Sequence, residues 1–186
     1  YDQPETAKNW LENYLIKNLE NGQYQINYPF DTKFFESIER IEIIACGTSK
    51  HAAMVGKFLL EQFSGIPTNV FYASEFRYSP PPLLPNTLTI GVTQSGETAD
   101  TIAAIDMEIK RRSSKEDKKF TPNLIAITNR KESSIGRQVL NIIDICAGIE
   151  VGVAATKTFF GQLLSFYGLA TVSYTHLRAH ETGWYL

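Results

Sequence analysis

Two short segments that combine glycine with hydroxyl side chains are the part of this sequence best suited to bind an anion. The first is Cys46-Gly47-Thr48-Ser49, and the second is Thr93-Gln94-Ser95-Gly96-Glu97-Thr98. Glycine lets the backbone turn tightly with its N–H groups exposed, and the hydroxyls add further donors. Because a helical pattern follows each segment, the positive end of a helix dipole is added at the same place. The combination predicts a phosphate-binding site.

The same residue types also have a purely structural use. Serine, threonine and glycine are common where a strand gives way to a helix, because they cap the first free N–H groups. Two such turns are harder to attribute to capping alone when both lie where the order of parallel strands reverses, since open α/β sheets bind ligands there. Neither segment matches the GxGxxG or GxxxxGK[ST] motif, so a dinucleotide or nucleoside triphosphate site has little support.

Other candidate groups are isolated. His51 lies one turn into the helix after the first segment and could reach a ligand, although a lone histidine there is more often a surface residue. His176 and His180 have i, i+4 spacing but lack the adjacent glutamate and third ligand of a zinc site. The stretch 110–119 mixes charges of both signs, which is typical of a solvated loop rather than a nucleic-acid patch. The sequence offers no obvious nucleophile, general base or metal cluster.

Alternating strand and helix patterns must position these segments. Compact apolar runs predict five strands, at 41–46, 68–73, 88–93, 123–128 and 142–147. Helical spacing predicts helices at 5–20, 50–64, 98–112, 131–140 and 154–171, with a short one near 32–38. This alternation favours right-handed crossovers and a parallel sheet covered on both faces. The fold class is therefore α/β, a three-layer sandwich whose five-stranded parallel sheet has the flavodoxin-like order 2-1-3-4-5.

Some burial predictions are specific. The helix at 5–20 has an apolar face of Trp10, Leu11, Tyr14, Leu15 and Leu19. The helix at 50–64 is expected to bury Ala53, Met54, Phe58, Leu59 and Phe63. Cys46 and Cys146 end apolar runs, and we expect buried, reduced thiols without a disulfide.

Composition excludes several classes of protein. The 186 residues fit one ordinary domain with some flanking sequence, and 43% hydrophobic with 20% charged residues is typical of a globular chain. A net charge of −2 provides no basic field to attract nucleic acid or an anionic membrane. No apolar run has membrane-spanning length and no signal-peptide pattern is present, so we expect a cytoplasmic protein. The chain begins at Tyr1 rather than at a methionine, which is typical of a processed chain or a fragment.

Four blocks of sequence, taken together, resemble one protein family. They are ACGTS at 45–49, GIPTNVFYASEFRY at 65–78, TQSGETADT at 93–101 and GIEVGVAATKTF at 148–159. In this combination they resemble the first sugar-isomerase (SIS) domain of the glutamine–fructose-6-phosphate aminotransferase family. The similarity runs in order from roughly Tyr1 to Thr171.

The resemblance implies two sets of substrate-binding residues. The phosphate of the sugar would bind Gln94, Ser95 and Thr98, with Thr93 at a position that is often serine. The sugar itself would contact Thr48 and Ser49, with Val153 and Ala155 beside it. Serine is common in the family where this chain has Ala155, so one hydroxyl contact of the family is absent.

The resemblance also implies what lies around this region. The family makes glucosamine 6-phosphate from fructose 6-phosphate and glutamine, with no cofactor or metal. A glutaminase domain precedes the first SIS domain and a second SIS domain follows it and carries the catalytic groups, so this chain would bind substrate without a catalytic residue of its own. The parent enzyme would be a homodimer. We interpret 1–38 as an interdomain linker and N-terminal helix, 39–172 as the SIS domain, and 173–186 as a non-native tail, because composition shifts abruptly at 173.

Three other functions stay open at this stage. One is a stand-alone SIS module that senses a phosphosugar and regulates a partner, although no partner domain is evident. Another is a small phosphosugar isomerase, for which Glu97 and His51 are the local acid–base candidates, although Glu97 is better placed to support the loop. The third is a structural dimerisation domain.

Overall fold

The computed structural model describes residues 2–19, 22–152 and 154–178. In chain order the helices and strands are α1 (Gln3–Tyr14), β1 (Leu15–Lys17), β2 (Tyr24–Ile26), β3 (Arg40–Ala45), α2 (Gly47–Ser64), β4 (Thr68–Tyr72), α3 (Ala73–Phe76), β5 (Thr87–Thr93), α4 (Ala99–Ser113), β6 (Asn123–Thr128), α5 (Ser134–Gln138), β7 (Asn141–Asp144) and α6 (Lys157–Arg178). Short 3-10 helices occupy Lys33–Ser37 and Lys118–Phe120.

The central sheet confirms the predicted fold class. Its five strands are parallel and lie in the order β4-β3-β5-β6-β7, which is 2-1-3-4-5 when only these strands are counted. One hydrophobic core joins the sheet to α1, α2 and α6, and a second joins the opposite face to α3, α4 and α5. Burial on both faces explains why every residue of β5 is buried, including its threonines, and why β3 and β6 are mostly apolar.

The predicted helix at 5–20 is wrong beyond Tyr14. The chain instead forms an antiparallel hairpin in which Leu15 pairs with Ile26, and the Asn27 N–H donates to the Tyr14 carbonyl at 2.8 Å. The turn explains the difference, because Gly22 has φ +71° and this left-handed conformation suits a tight hairpin. Trp10 and Tyr14 are buried as predicted, whereas Leu19 is 96% exposed.

The predicted buried face of α2 is only partly correct. Ala53 and Leu59 are buried, but Met54 and Phe58 are 54% and 65% exposed, and Phe63 also faces solvent. Close packing against α6 sets the rotation of the helix, since a Cβ at Gly56 would overlap the Phe166 ring. The helix therefore turns its small residues, Ala52, Ala53 and Gly56, toward its neighbour and leaves larger apolar ones outside.

The last helix is longer than predicted. It runs to Arg178, past the expected end at Thr171, and the side chains of Val172 and Ser173 are buried. The side chain of His176, residue His180 and the rest of the expected tail at 179–186 lie outside the described residues.

The two cysteines are free, but both are half-buried rather than fully buried. Burial, with the neighbouring Asp144 carboxylate, raises the pKa of Cys146 to about 11. Among the helices that the structure describes, none combines the length and apolar character needed to cross a bilayer.

Candidate functional site

The two predicted segments lie next to each other at the carboxyl edge of the sheet. Strands β3 and β5 are neighbours in parallel register, with Ala45 opposite Val92, so the loops that follow them leave the sheet side by side. This is the point where the strand order reverses, and α2 and α4 begin there. Gly47 makes the first turn with φ +54°. Thr48 is exposed and Ser49 is half-buried on the first turn of α2.

The second segment is an ordered loop held by its own side chains. The hydroxyls of Thr93 and Thr98 lie 2.8 Å apart and span the loop. The Ser95 Oγ accepts a hydrogen bond from the Glu97 N–H at 3.1 Å, which leaves the serine hydroxyl hydrogen free to donate elsewhere. Gly96, with φ +69°, makes the turn between Ser95 and Glu97. Gln94 and Ser95 are both half-buried.

Glu97 braces this loop against α5. Its carboxylate accepts hydrogen bonds from the Ser134 N–H at 2.8 Å and from the Ser134 hydroxyl at 2.7 Å. These bonds lower the pKa of Glu97, the hydroxyl bond most. A carboxylate held in this way is poorly suited to take up a proton, which disfavours the stand-alone isomerase with Glu97 as its base.

Asn129, just after β6, joins three loops of the same edge. Its backbone N–H donates to the Gln94 carbonyl at 3.1 Å. Its side-chain amide donates to the Gly148 carbonyl at 2.5 Å, and its side-chain oxygen accepts from the Ala147 N–H at 3.0 Å. The loops after β5, β6 and β7 are therefore fixed relative to each other.

The block at 148–159 reaches the same edge through α6. The Gln162 Nε2 donates to the Ser49 Oγ at 2.9 Å, so the sixth residue of α6 lies beside the first turn of α2. Because a helix rises 1.5 Å per residue, the first residue of α6 lies only about 8 Å from Gln162 along the helix axis. Ala155, two residues before α6, is half-buried. Val153 lies outside the described residues.

Glu150 caps the N-terminus of α6. Its carboxylate accepts from the Thr156 N–H at 2.9 Å and the Lys157 N–H at 3.2 Å. The hydroxyls of Thr156 and Thr158 donate to it as well. Burial raises the pKa of Glu150, but the hydrogen bonds outweigh burial and the pKa falls below its ordinary range. An internal anion therefore already neutralises this helix end.

The N-terminus of α2 has no such internal anion. No acidic residue lies in its first turn, and its N-cap residue, Cys46, makes no side-chain cap hydrogen bond. Lys50 adds a positive charge in the same turn, with its Nζ 3.4 Å from the centre of the Tyr72 ring. Of the N-termini of α2 and α6, the start of α2 is therefore the one whose partial positive charge stays available to a ligand at this edge.

The ASEFRY segment at 73–78 supports the site through its contact with α4. Ala73 and Phe76 are buried, and the Arg77 guanidinium pairs with the Asp100 carboxylate at 2.7 Å in the first turn of α4. The pair ties the segment after β4 to the helix that follows the 93–98 loop.

The other candidates do not gather at this site. His51 is exposed on α2, and no group of histidine, cysteine and acidic side chains in the described ranges could hold a metal ion. In the stretch 110–119, Lys110 pairs with Asp106, and Arg111 and Arg112 pair with Glu108. The basic residues at the end of α4 are therefore largely neutralised. The prediction of a solvated loop is wrong for the start of this stretch, because α4 continues to Ser113 and Arg112 is 1% exposed.

Comparison with family models matches residues 34–172 to the SIS domain. This chain belongs to the SIS domain family. Two similar proteins are named glutamine–fructose-6-phosphate aminotransferase (isomerizing). The one from Thermosynechococcus vestitus is 57% identical over 171 residues, or 90% of this chain. The one from Synechocystis is 52% identical over 174 residues, or 91% of this chain. The chain spans 27% of the length of each.

Solved structures agree with the SIS assignment. The C-terminal domain of glucosamine-fructose-6-phosphate aminotransferase from Francisella tularensis is 30% identical, with a TM-score of 0.81 over 96% of this chain and 47% of that one. Glucosamine-6-phosphate deaminase from Thermotoga maritima superposes with a TM-score of 0.65 over 97% of this chain and 51% of that one, at 19% identity, which shows the fold alone.

Both loops of this SIS domain could be located from the sequence, but three residues that fix the surrounding segments are not among the predicted ones. Asn129 follows a predicted strand, so the rule that places ligands at strand ends could have found it. Glu150 lies in a block already singled out, but its carboxylate acts on residues six to eight positions later. Gln162 is a polar residue on an apolar helix, and only the packing of α6 on α2 gives it a partner.

Proposed function

We propose that this SIS domain binds fructose 6-phosphate as part of the isomerase region of a glutamine–fructose-6-phosphate aminotransferase. The observation that carries the proposal is the meeting of the two hydroxyl-rich loops beside the uncapped N-terminus of α2. Relatives that bear this name support the choice of substrate.

The loop after β5 is proposed to hold the phosphate. Ser95 has a hydroxyl hydrogen free to donate, because its oxygen already accepts from the Glu97 N–H. The hydrogen bond between the Thr93 and Thr98 hydroxyls uses one of their two hydrogens. The other hydroxyl hydrogen stays available to a ligand. Gln94 adds its carboxamide. Bonds to an ionised phosphate are stronger than those between neutral groups, which suits a small number of convergent donors.

The sugar is proposed to lie toward α2 and the start of α6. Thr48 and Ser49 contact it there, with Val153 and Ala155 beside it. This chain contributes binding and orientation, and no catalytic residue, cofactor or metal is assigned to it.

The parent protein is proposed to make glucosamine 6-phosphate in the cytoplasm, as a homodimer. Its glutaminase domain and second SIS domain belong to other parts of the same polypeptide. Within the present chain we propose a linker at 1–38, the SIS domain at 39–172 and a non-native tail from 173. The continuation of α6 to Arg178 with Ser173 buried argues against a boundary at 173. The tail assignment is refuted if 173–186 occur within a longer reading frame in genomic DNA.

Replacing Ser95 with alanine is expected to weaken fructose 6-phosphate binding about 10- to 150-fold, because a hydrogen bond to a charged group contributes about 1.5–3 kcal/mol. Isothermal titration of the 186-residue chain measures the change. Ser114→Ala is the matched control, since that hydroxyl donates to the Arg111 carbonyl at the far end of α4. An unchanged affinity in Ser95→Ala refutes the phosphate assignment.

A further inference from the structure

A buried side chain outside the predicted site is hydrogen-bonded to one of its hydroxyls. Gln162 is 1% exposed on α6, and its Nε2 lies 2.9 Å from the Ser49 Oγ. Ser49 is 113 residues away in sequence, on the first turn of α2. The carboxamide is buried, whereas Ser49 is half-buried on the turn that follows β3, and β3 is the neighbour of β5, which leads into the 93–98 loop.

The direction of this hydrogen bond decides what Ser49 can do. A serine hydroxyl has one hydrogen and two acceptor lone pairs, and an amide NH₂ can only donate. When Gln162 donates to the Ser49 oxygen, it occupies one lone pair, and the hydroxyl hydrogen points away from the carboxamide. The Ser49 hydroxyl hydrogen is therefore available to an acceptor other than Gln162.

The packing of α6 on α2 keeps the carboxamide in place. The two helices run side by side in the same direction, with Gln162 at Ser49, Phe166 at Gly56 and Tyr174 at Phe63. Phe166 is fully buried, and a Cβ at Gly56 would overlap its ring. Because Phe166 lies one turn beyond Gln162 on the same helix face, this close approach fixes the height of Gln162 against α2.

We propose that Gln162 is a positioning residue that orients the Ser49 hydroxyl as a hydrogen-bond donor toward an oxygen of the bound sugar phosphate. The inference rests on the proposed function, because it takes fructose 6-phosphate as the ligand. Gln162 acts through Ser49 and does not touch the ligand itself.

The test is a double-mutant cycle on fructose 6-phosphate affinity, with the unsubstituted chain, Gln162→Leu, Ser49→Ala and the double variant. Each single substitution is expected to weaken binding about 2- to 10-fold, the range of one neutral hydrogen bond. The double variant is expected to bind as weakly as Ser49→Ala alone, because the carboxamide has nothing left to orient. Unchanged affinity in Gln162→Leu, or effects that multiply in the double variant, overturns the proposal.

Gln162→Glu separates orientation from packing, because it keeps the shape but replaces the donor by an acceptor. Ser49 would then donate to the new carboxylate, so we expect weaker binding than in Gln162→Leu. Wild-type affinity in Gln162→Glu contradicts the proposal. This result decides the question even if Gln162→Leu does not fold.

Ser165→Ala is the control for α6 packing, since its buried hydroxyl accepts from Trp10 and donates to the Gly161 carbonyl away from the loops. It is expected to lower stability without changing affinity, and a loss of affinity equal to that of Gln162→Leu overturns the proposal.

The same four variants are also compared in thermal unfolding without ligand, which measures the Gln162–Ser49 interaction in the free chain. We expect the two substitutions to be non-additive there, and strict additivity overturns the hydrogen bond itself. If the unsubstituted chain binds no fructose 6-phosphate, the proposed function fails and the Gln162 proposal fails with it, whereas the unliganded cycle still shows whether the Gln162–Ser49 hydrogen bond contributes to stability. If it binds and only the Gln162 variants behave as wild type, the proposed function stands and the Gln162 assignment fails.

Discussion

Gly96→Ala is expected to disrupt the 93–98 loop and to abolish measurable sugar-phosphate binding. Gly96 has φ +69°, and a Cβ there would overlap the buried Ser133 side chain, whose hydroxyl donates to the Arg130 carbonyl. The left-handed backbone costs a non-glycine residue about 1–2 kcal/mol, and overpacking adds about 1–3 kcal/mol. The sum, about 2–5 kcal/mol of unfolding free energy, corresponds to a fall in melting temperature of roughly 5–20 °C.

Gly65→Ala is the matched control for this substitution. Gly65 ends α2 with φ +70°, but a Cβ there meets no heavy atom within 4 Å. We therefore expect only the backbone cost of about 1–2 kcal/mol, with binding retained. Thermal unfolding and titration of both variants measure the difference. Equal losses in the two variants would contradict the steric account of Gly96.

Arg112→Met is expected to destabilise the chain by about 3–5 kcal/mol, because it leaves a buried carboxylate without its closest cation. The Arg112 Nε donates to the Glu108 Oε1 at 2.7 Å, and both side chains are 1% exposed. The Arg112 guanidinium also donates to the Leu84 carbonyl at 3.1 Å, which anchors the proline-rich segment before β5. Equilibrium denaturation with urea measures the change in unfolding free energy.

Two companion variants show whether burial is the cause. Lys110→Met breaks the exposed pair with Asp106 on the same helix and is expected to change stability by less than about 1 kcal/mol. Adding Glu108→Leu to Arg112→Met removes the stranded charge, so the double variant is expected to be more stable than Arg112→Met alone. A loss of stability in Arg112→Met no larger than in Lys110→Met would show that the buried pair contributes little.

The strands and the two loops could be predicted from sequence because their signals are local. The runs IEIIAC, LTIGVT and NLIAIT are short and rich in apolar residues because both faces of the sheet are covered, and strand order follows from the alternation with helices. Glycine at 47 and 96 marks the turns for the same local reason, and both residues have positive φ. The individual substrate contacts of these loops stay predictions.

What could not be predicted depends on contacts between distant segments. Leu15 and Leu19 fit a helical face, but pairing of β1 with β2 outweighs that pattern. Helical spacing predicts Met54 and Phe58 in the core, whereas the small residues of α2 determine which face meets α6. Gln162 carries no local signal at all, since its role exists only where α6 lies against Ser49.

The thermal unfolding of the 186-residue chain with and without millimolar fructose 6-phosphate tests the central claim most directly, with sulfate and fructose as controls. Ligand at 100 times its dissociation constant adds about 2.7 kcal/mol to the unfolding free energy, which raises the melting temperature by several degrees. We predict a rise of this size with fructose 6-phosphate and a smaller one, or none, with either control. A cooperative transition that is unchanged by fructose 6-phosphate, or is raised equally by sulfate, would contradict the assignment of this edge as a phosphosugar site.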